Sequence, residues 1–190
     1  MDPPEVDTPQ DVQNGTVPGS KHAAVRKLFH ELGIPKEQLL PLDRFKFLTR
    51  LHYWAADTKT HGHDAPWGEN EIDYILFITV PSKESLTLQP KEDEVDDIRW
   101  VNPNQLKQMI SDPGLLFSPW FRIIANKWLL PDKSGWWSNL HVTMTTQTHC
   151  DYVNIHRFDP PPEHLGGAGK AGPLYSSPSL SQNSRTDDSM

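Results

Sequence analysis

Cysteine is nearly absent from this sequence, since Cys150 is the only one among 190 residues. A single thiol excludes an internal disulfide framework and any metal site that needs two or more cysteines. It fits a reducing, intracellular setting, so we expect a cytoplasmic protein. The sequence also lacks a run of about 18 consecutive apolar residues, which argues against a transmembrane helix.

Positive charge is also scarce. The sequence has 18 Lys and Arg residues against 25 Asp and Glu residues, which gives a formal net charge of −7. A protein that binds nucleic acid or an anionic membrane usually carries a basic surface. The charge balance therefore argues against both kinds of partner for the molecule as a whole.

Apolar periodicity is missing from both ends. Residues 1–20 are acidic and proline-rich, and we expect them to be a disordered lead. Of the 31 residues from 160 to 190, 15 are Pro, Gly or Ser. Such a composition buries too little apolar surface to offset the entropy lost on ordering, so we expect residues 158–190 to form a disordered tail. Residues 21–157 are then the folded domain.

Regular elements are predicted inside that domain. The apolar spacing of residues 22–33 indicates a helix that ends at Gly33. Asn102 and Ser118 are each followed by proline, as at the start of a helix. Three stretches have the composition of strands: 44–55, 69–80 and 98–101. The order predicts an α+β fold with a mixed sheet flanked by helices.

Three carboxylates alternate at the head of the second predicted strand, in the stretch WGENEIDYILF. Glu69, Glu71 and Asp73 share one face, because side chains two residues apart on a strand point the same way. Like charges this close repel, and one carboxyl pKa should rise. Either water screens exposed acids at a strand end, or the face is a metal or acid–base site.

A second motif lies at the end of the first predicted helix, RKLFHELGI, residues 26–34. It resembles the second half of the Nudix box, REUxEExGU, in which U is aliphatic. The match is partial, because Lys27 and His30 stand where the box has glutamates and only Glu31 remains. An ordinary amphipathic helix is the alternative explanation of the fragment.

These motifs, with RLHYWA and SPWFRIIANKWL in the same order, resemble type I isopentenyl-diphosphate Δ-isomerase over about residues 22–140. That family has the Nudix fold and interconverts isopentenyl and dimethylallyl diphosphate in isoprenoid biosynthesis by adding and removing protons. The resemblance implies a Nudix-like α+β domain that is amino-terminally incomplete. It also implies an isoprenoid diphosphate as partner. From the charge balance and the lack of a long apolar run we expect no nucleic acid and no membrane span, and we expect a monomer.

The resemblance implies a metal site as well. Glu69 and Glu71 match the two glutamates of the family that ligate a divalent metal, which would be Zn²⁺, Mn²⁺ or Mg²⁺. Glu31 matches the glutamate that holds a Mg²⁺ bridging to the diphosphate. Arg26 and Lys27 lie where the family places basic residues near the phosphates.

Three catalytic residues follow from the same resemblance. Glu71 would also handle the substrate proton, Tyr53 would place its hydroxyl near the proton-donating thiol, and Trp120 would stabilise a cationic intermediate. Tyr53 and Trp120 could otherwise be ordinary core aromatics.

The sequence departs from the family at one point. The Cys-x-His-Pro loop is missing, and neither Cys nor His occurs before Lys21. One proton-transfer group is therefore gone, and we expect weak isomerase activity or none. Two alternatives stay open: a non-catalytic remnant that binds isoprenoid diphosphates or a partner protein, and a Nudix diphosphate hydrolase.

Overall fold

A mixed three-stranded sheet is the centre of the protein in the computed structural model, which describes residues 6–56, 58–62 and 68–159. Its strands are β1 (Lys46–Ala56), β2 (Gly68–Phe77) and β3 (Ile155–Phe158). The order across the sheet is β2-β1-β3. Strand β1 pairs antiparallel with β2 and parallel with β3. The predicted α+β class with a mixed sheet is confirmed.

Helices flank this sheet. In chain order the α-helices of the described residues are α1 (Pro9–Asn14), α2 (Pro18–Leu32), α3 (Lys36–Leu39), α4 (Thr58–His61), α5 (Pro103–Ser111), α6 (Pro119–Ile124) and α7 (Leu140–Thr145). Short 3₁₀ turns occupy Leu42–Arg44 and Lys83–Ser85, and a π-helical turn, Ala125–Leu129, continues α6.

Local signals place the helix ends where the sequence predicts them. Helix α2 ends at Gly33, which has φ 65° and donates its N–H back to the last turn. Asn102 caps α5 with a reciprocal bond to Gln105. Helix α6 begins after Ser118 with proline in its first turn, although Ser118 makes no side-chain capping bond.

The two faces of the sheet pack against different helices. One face forms the tyrosine-side cluster, whose buried members are Leu48, Leu51, Tyr53, Ala55, Ile124 and Trp136. The other contributes to the α2 cluster, whose buried members are Val25, Ile34, Leu39 and Phe45. On β2, Ile75 and Phe77 pack against the first cluster and Leu76 against the second. This alternation puts the clusters on opposite faces.

The expected disordered lead is wrong for residues 6–20, which contain α1 and the start of α2. Thr8 and Asp11 form a capping box at α1, a local signal that needs no apolar periodicity. The carboxylate of Asp7 then accepts hydrogen bonds from the backbone N–H of Gly19 and Ser20, at 2.7 and 3.0 Å. These polar contacts order a segment that lacks an apolar stripe.

The predicted third strand is also wrong, since residues 98–101 form no strand. Val101 instead packs against a cluster between α5 and the π-helical turn, while Trp100 stays 52 % exposed. Strand β3 takes the third place in the sheet, with Ile155 beside Arg50. The expected disordered tail, 158–190, is wrong at Phe158, which is the last residue of β3, and lies outside the described residues from position 160 onward. No helix in the described part of the chain is long and apolar enough to cross a membrane.

Candidate active site

The carboxylates of β2 lie beside Tyr53. In the antiparallel register, Tyr53 is opposite Glu71, Ala55 is opposite Glu69, and Leu51 is opposite Asp73. Side chains directly opposite each other on paired strands lie on the same face, with Cβ atoms about 5 Å apart. The sheet therefore brings Glu69, Glu71, Asp73 and Tyr53 to one place, at the end of the face that bears the tyrosine-side cluster.

Burial changes steeply across this group. Tyr53 is only 1 % exposed, whereas Glu69 and Glu71 are exposed and Asp73 is half-buried. The aromatic ring is held by the core, and the two glutamates stand at a solvent-facing rim. Such an arrangement can present a carboxylate to a small molecule while one wall of the site stays dry.

Burial and neighbouring charge raise two pKa values here. Burial raises the pKa of the Tyr53 hydroxyl, and the charges of Glu69, Glu71 and Asp73 raise it further. The pKa of Asp73 rises to about 6, first through burial, then through the charges of Glu71 and Glu69 and a hydrogen bond with Glu71. Because its own pKa is raised, the Tyr53 hydroxyl stays neutral at physiological pH and can donate a hydrogen bond.

Asp73 belongs to this group although the family resemblance gave it no catalytic role. Its Oδ2 is buried and has no hydrogen-bond partner among the described residues. The spacing i, i+2, i+4 of the three acids was the available signal. It predicted a raised carboxyl pKa, but it could not show that the innermost acid would carry the increase.

Trp120 packs against the same cluster as Tyr53. It lies in the first turn of α6, and its ring meets Phe121 edge-on with centroids 5.9 Å apart. Beside it the cluster contains stacked Trp128 and Trp136, with centroids 5.4 Å apart. Glu71 and Tyr53 thus share one face of the sheet, and Trp120, on α6, packs against the cluster that covers this face.

Glu31, Arg26 and Lys27 lie elsewhere, on α2, whose apolar side packs in the cluster on the opposite face of the sheet. The ammonium of Lys27 is 2.5 Å from the carboxylate of Glu31, one helical turn away. Residues 89–91 run beside this helix end, where the N–H of Lys91 donates to the carbonyl of Glu31. The described structure does not join these three residues to the carboxylates of β2.

The carboxylates of β2 do not complete a metal site by themselves. No group of three or more His, Cys, Asp or Glu side chains in the described ranges is arranged to hold a metal ion. Glu69 and Glu71 can offer oxygen ligands, but a divalent cation needs more than two protein oxygens or several waters. The described residues therefore do not fit a closed metal centre.

Cys150 packs against the tyrosine-side cluster, but at the start of β1 rather than beside Tyr53. Its sulfur is 3.5 Å from the carbonyl oxygen of Phe47 at the start of β1. Tyr53 is six residues further along the strand, which corresponds to roughly 20 Å. The only thiol of the sequence is thus not placed to exchange a proton at the carboxylate–tyrosine group.

A family model described as NUDIX domain matches residues 18–121. The chain is 48 % identical over 125 residues to isopentenyl-diphosphate delta-isomerase of Gibberella zeae, covering 66 % of this chain and 44 % of the relative. It is 42 % identical over 133 residues to the enzyme of that name from Candida albicans, covering 69 % and 43 %.

A plant protein is similar as well. A chloroplastic isopentenyl-diphosphate Delta-isomerase of Cannabis sativa is 37 % identical over 145 residues, covering 74 % of this chain and 45 % of the relative. The chain therefore spans less than half the length of each of these curated relatives.

Proposed function

This chain belongs to the Nudix domain family, and from that premise we propose that its carboxylate–tyrosine site is part of an isopentenyl-diphosphate Δ-isomerase. The proposed substrate is a five-carbon isoprenoid diphosphate, and the proposed reaction moves its C=C bond by one position. The proposed setting is a cytoplasmic monomer.

One observation carries this proposal. Exposed Glu71 lies directly opposite buried Tyr53 in the strand register, and Trp120 packs against the cluster that holds Tyr53. A carboxylate, a neutral hydroxyl and an indole on one face of a sheet match the needs of proton transfer through a cation.

The chemistry follows from the residue types. One alkene carbon gains a proton, a positive charge develops on the neighbouring tertiary carbon, and another carbon loses a proton. Glu71 would take up the proton that leaves, since its carboxylate stands at the open rim. Tyr53 would donate a hydrogen bond without ionising, because burial and nearby acids raise its pKa.

Trp120 would stabilise the developing cation. The face of an indole ring attracts a cation, and the attraction is worth about 2 kcal/mol when the pair is desolvated. The same cluster excludes water from one side of the site, which strengthens such an interaction.

Divalent cations and three residues of α2 also belong to the proposal. Glu69 and Glu71 would hold a divalent cation, and Glu31 would hold a Mg²⁺ that offsets the negative charge of the diphosphate. Arg26 and Lys27 are proposed to meet the phosphates. In the described structure Lys27 pairs with Glu31, so substrate would have to replace this pair.

Turnover by this chain is proposed to be weak or absent. Proton addition needs an acid on the face of the alkene opposite the base, and Cys150 lies at the other end of β1. General acid catalysis contributes about 10²–10⁴-fold, so its loss alone would leave little activity.

The test is incubation of the chain with isopentenyl diphosphate and Mg²⁺, Mn²⁺ or Zn²⁺, followed by ³¹P and ¹H NMR. We expect saturable binding and at most slow formation of dimethylallyl diphosphate. Release of inorganic phosphate would indicate a diphosphate hydrolase instead. Absence of both binding and turnover would overturn the proposal.

Two matched variants sharpen this test. Trp120→Leu should weaken binding or remove residual turnover, because the indole lies on the site's cluster. Trp100→Leu is the control, since Trp100 is 52 % exposed and lies outside that cluster. Equal effects of the two substitutions would contradict a role for Trp120.

A further inference from the structure

A cleft lies at the end of the sheet where β1 begins and β2 ends. Its volume is about 590 Å³, which is in the range of small-molecule sites. Tyr53 lies seven residues along β1 from Lys46, or roughly 20 Å away, so this cleft is separate from the candidate active site. The residues that line it are Gln38, Arg44, Thr79, Val80, Pro81 and Ser85.

The side chain of Arg44 is fixed at this cleft by backbone carbonyls. Its Nη1 donates to the carbonyl oxygens of Gln38 and Leu40, at 2.7 and 3.3 Å. Its Nη2 donates to the carbonyl oxygen of Thr79, at 3.2 Å. The guanidinium is therefore held both from α3 and from the segment after β2. A cation that is positioned before binding loses little conformational entropy when a ligand arrives.

Two N–H groups of Arg44 remain for a ligand. A guanidinium has five N–H donors, and the carbonyls use three of them. The remaining donors are on Nε and Nη2, which lie on one edge of the planar group. Among the described residues no acid forms an ion pair with Arg44, and its side chain is only half-buried. A ligand can therefore reach this edge.

A second cleft of the protein gives an internal comparison. Arg99 lines that cleft, and its Nε already donates to the carboxylate of Asp97 at 2.7 Å. The described structure thus supplies a carboxylate to one of the two cleft arginines and carbonyl oxygens to the other. The edge of Arg44 that remains is the kind of edge that Asp97 occupies on Arg99.

The donor count and the wall of the first cleft indicate the class of ligand. A fork of two N–H groups matches the two oxygens of a planar carboxylate. Val80 and Pro81 give the wall an apolar part, while the side-chain amide of Gln38 is bound to Thr87. A phosphate group would bring a third oxygen and a second negative charge, and among the six described lining residues Arg44 is the sole cation. A monocarboxylate with a small apolar body is the better match.

We propose that this cleft binds a small organic monocarboxylate, whose carboxylate is held by Nε and Nη2 of Arg44 and whose apolar body packs on Val80 and Pro81. The bound ligand would connect the start of β1 with the segment after β2. This site is independent of the proposed isomerase function, because it lies at the other end of the sheet.

Nuclear magnetic resonance of the full chain tests the proposal. The probe is benzoate, and the matched control is benzamide, which has a similar shape and no charge. We expect benzoate to shift the Arg44 Nε–H signal and to bind at least about tenfold more tightly than benzamide, because its hydrogen bonds are charge-assisted. Inorganic phosphate should bind at least about tenfold more weakly than benzoate, since a single fork satisfies only two of its oxygens.

Three variants locate the contact. Arg44→Lys keeps the positive charge but removes the fork, so benzoate binding should weaken about tenfold or more. Val80→Asp leaves the carbonyl bonds of Arg44 in place and adds a carboxylate beside the fork. Benzoate binding should be lost in this variant, which keeps the test valid even if the lysine variant folds poorly. Arg99→Lys is the control and should leave binding unchanged, because Arg99 lines the other cleft.

The proposal is overturned if benzoate does not bind, if benzoate and benzamide bind alike, or if phosphate binds more tightly than benzoate. It is also overturned if Val80→Asp binds benzoate as the parent does. Binding of isopentenyl diphosphate is measured separately, so the two proposals can fail independently.

Discussion

The two faces of the sheet use their side chains differently. On the face with Tyr53, charge penetrates inward, because Asp73 is half-buried beside the core cluster. On the α2 side the core cluster is apolar, but Lys21 is buried in the first part of the helix, at 8 % exposed, while the pair Lys27–Glu31 lies at the surface. Burial lowers the pKa of Lys21, and the opposite charge of Asp43 works against this shift. Both sides therefore bury a charge, and they differ in its neighbours, because Asp73 lies among like charges whereas Lys21 lies near an opposite one.

Core truncation on either face gives the largest expected effect and separates the two clusters. Leu51 and Leu39 are both at most 1 % exposed, one in each cluster. Leu51→Ala and Leu39→Ala should each lower the free energy of unfolding by about 2–5 kcal/mol, measured by urea denaturation. Only Leu51→Ala should change the near-ultraviolet circular dichroism of tryptophan strongly, because Trp120, Trp128 and Trp136 all adjoin its cluster. Equal spectral changes would contradict the division into two clusters.

The end of α2 gives the next largest effect. Gly33 has φ 65°, and a Cβ there would collide with the backbone oxygen of Gln89. Gly33→Ala should lower the free energy of unfolding by about 1–2 kcal/mol, because alanine disfavours the left-handed backbone. The collision of its Cβ should lower this free energy further. Gly62→Ala is the control, since Gly62 has φ 72° and open space around it. If both variants lose the same amount, the loop at Gln89 does not hold the helix end.

Asp73 allows a smaller, pH-dependent test of the charged face. Its pKa is about 6 in the folded protein, against 3.8 for the unperturbed group. The folded state therefore binds more protons between about pH 4 and pH 6, so the unfolding free energy due to this group falls as pH rises through that window. Asp73→Asn should be more stable than the parent at pH 7, and the advantage should vanish near pH 4.

The control for this titration is Asp93→Asn, in an exposed loop outside the sheet. Thermal or urea unfolding is measured for parent and variant at each pH. A stability difference that is independent of pH would show that Asp73 does not carry a raised pKa.

The parts of the fold that the sequence predicted are those with local signals. Helix α2, strands β1 and β2 and the start at Asn102 follow from periodicity, glycine and proline, which act within a few residues. Strand β3 depends on a contact between positions about a hundred apart, Arg50 and Ile155, which no local pattern encodes. Helix α1 depends on side-chain hydrogen bonds at Thr8 and Asp11 rather than on apolar spacing.

The candidate site divides in the same way. The register of two neighbouring strands makes Glu71 and Tyr53 adjacent, whereas alternation in sequence could place only the three acids of β2 on one face. The position of Glu31 depends on how α2 packs. The apolar residues of α2 pack in the cluster on the face of the sheet opposite Tyr53. Roles for Glu31, Arg26 and Lys27 therefore stay predictions.

The smallest expected effect tests the outer side of α2. The ion pair of Lys27 with Glu31 is exposed, and exposed pairs contribute little because water and salt screen them. Lys27→Met should therefore shift the melting temperature by about 1 °C or less. It should weaken binding of isopentenyl diphosphate about two- to fivefold, by removing one positive charge near the phosphates. Lys36→Met, which removes a cation that lies over the Phe29 ring, is the control and should leave binding unchanged. If Lys27→Met also leaves binding unchanged, Lys27 has no part in diphosphate recognition.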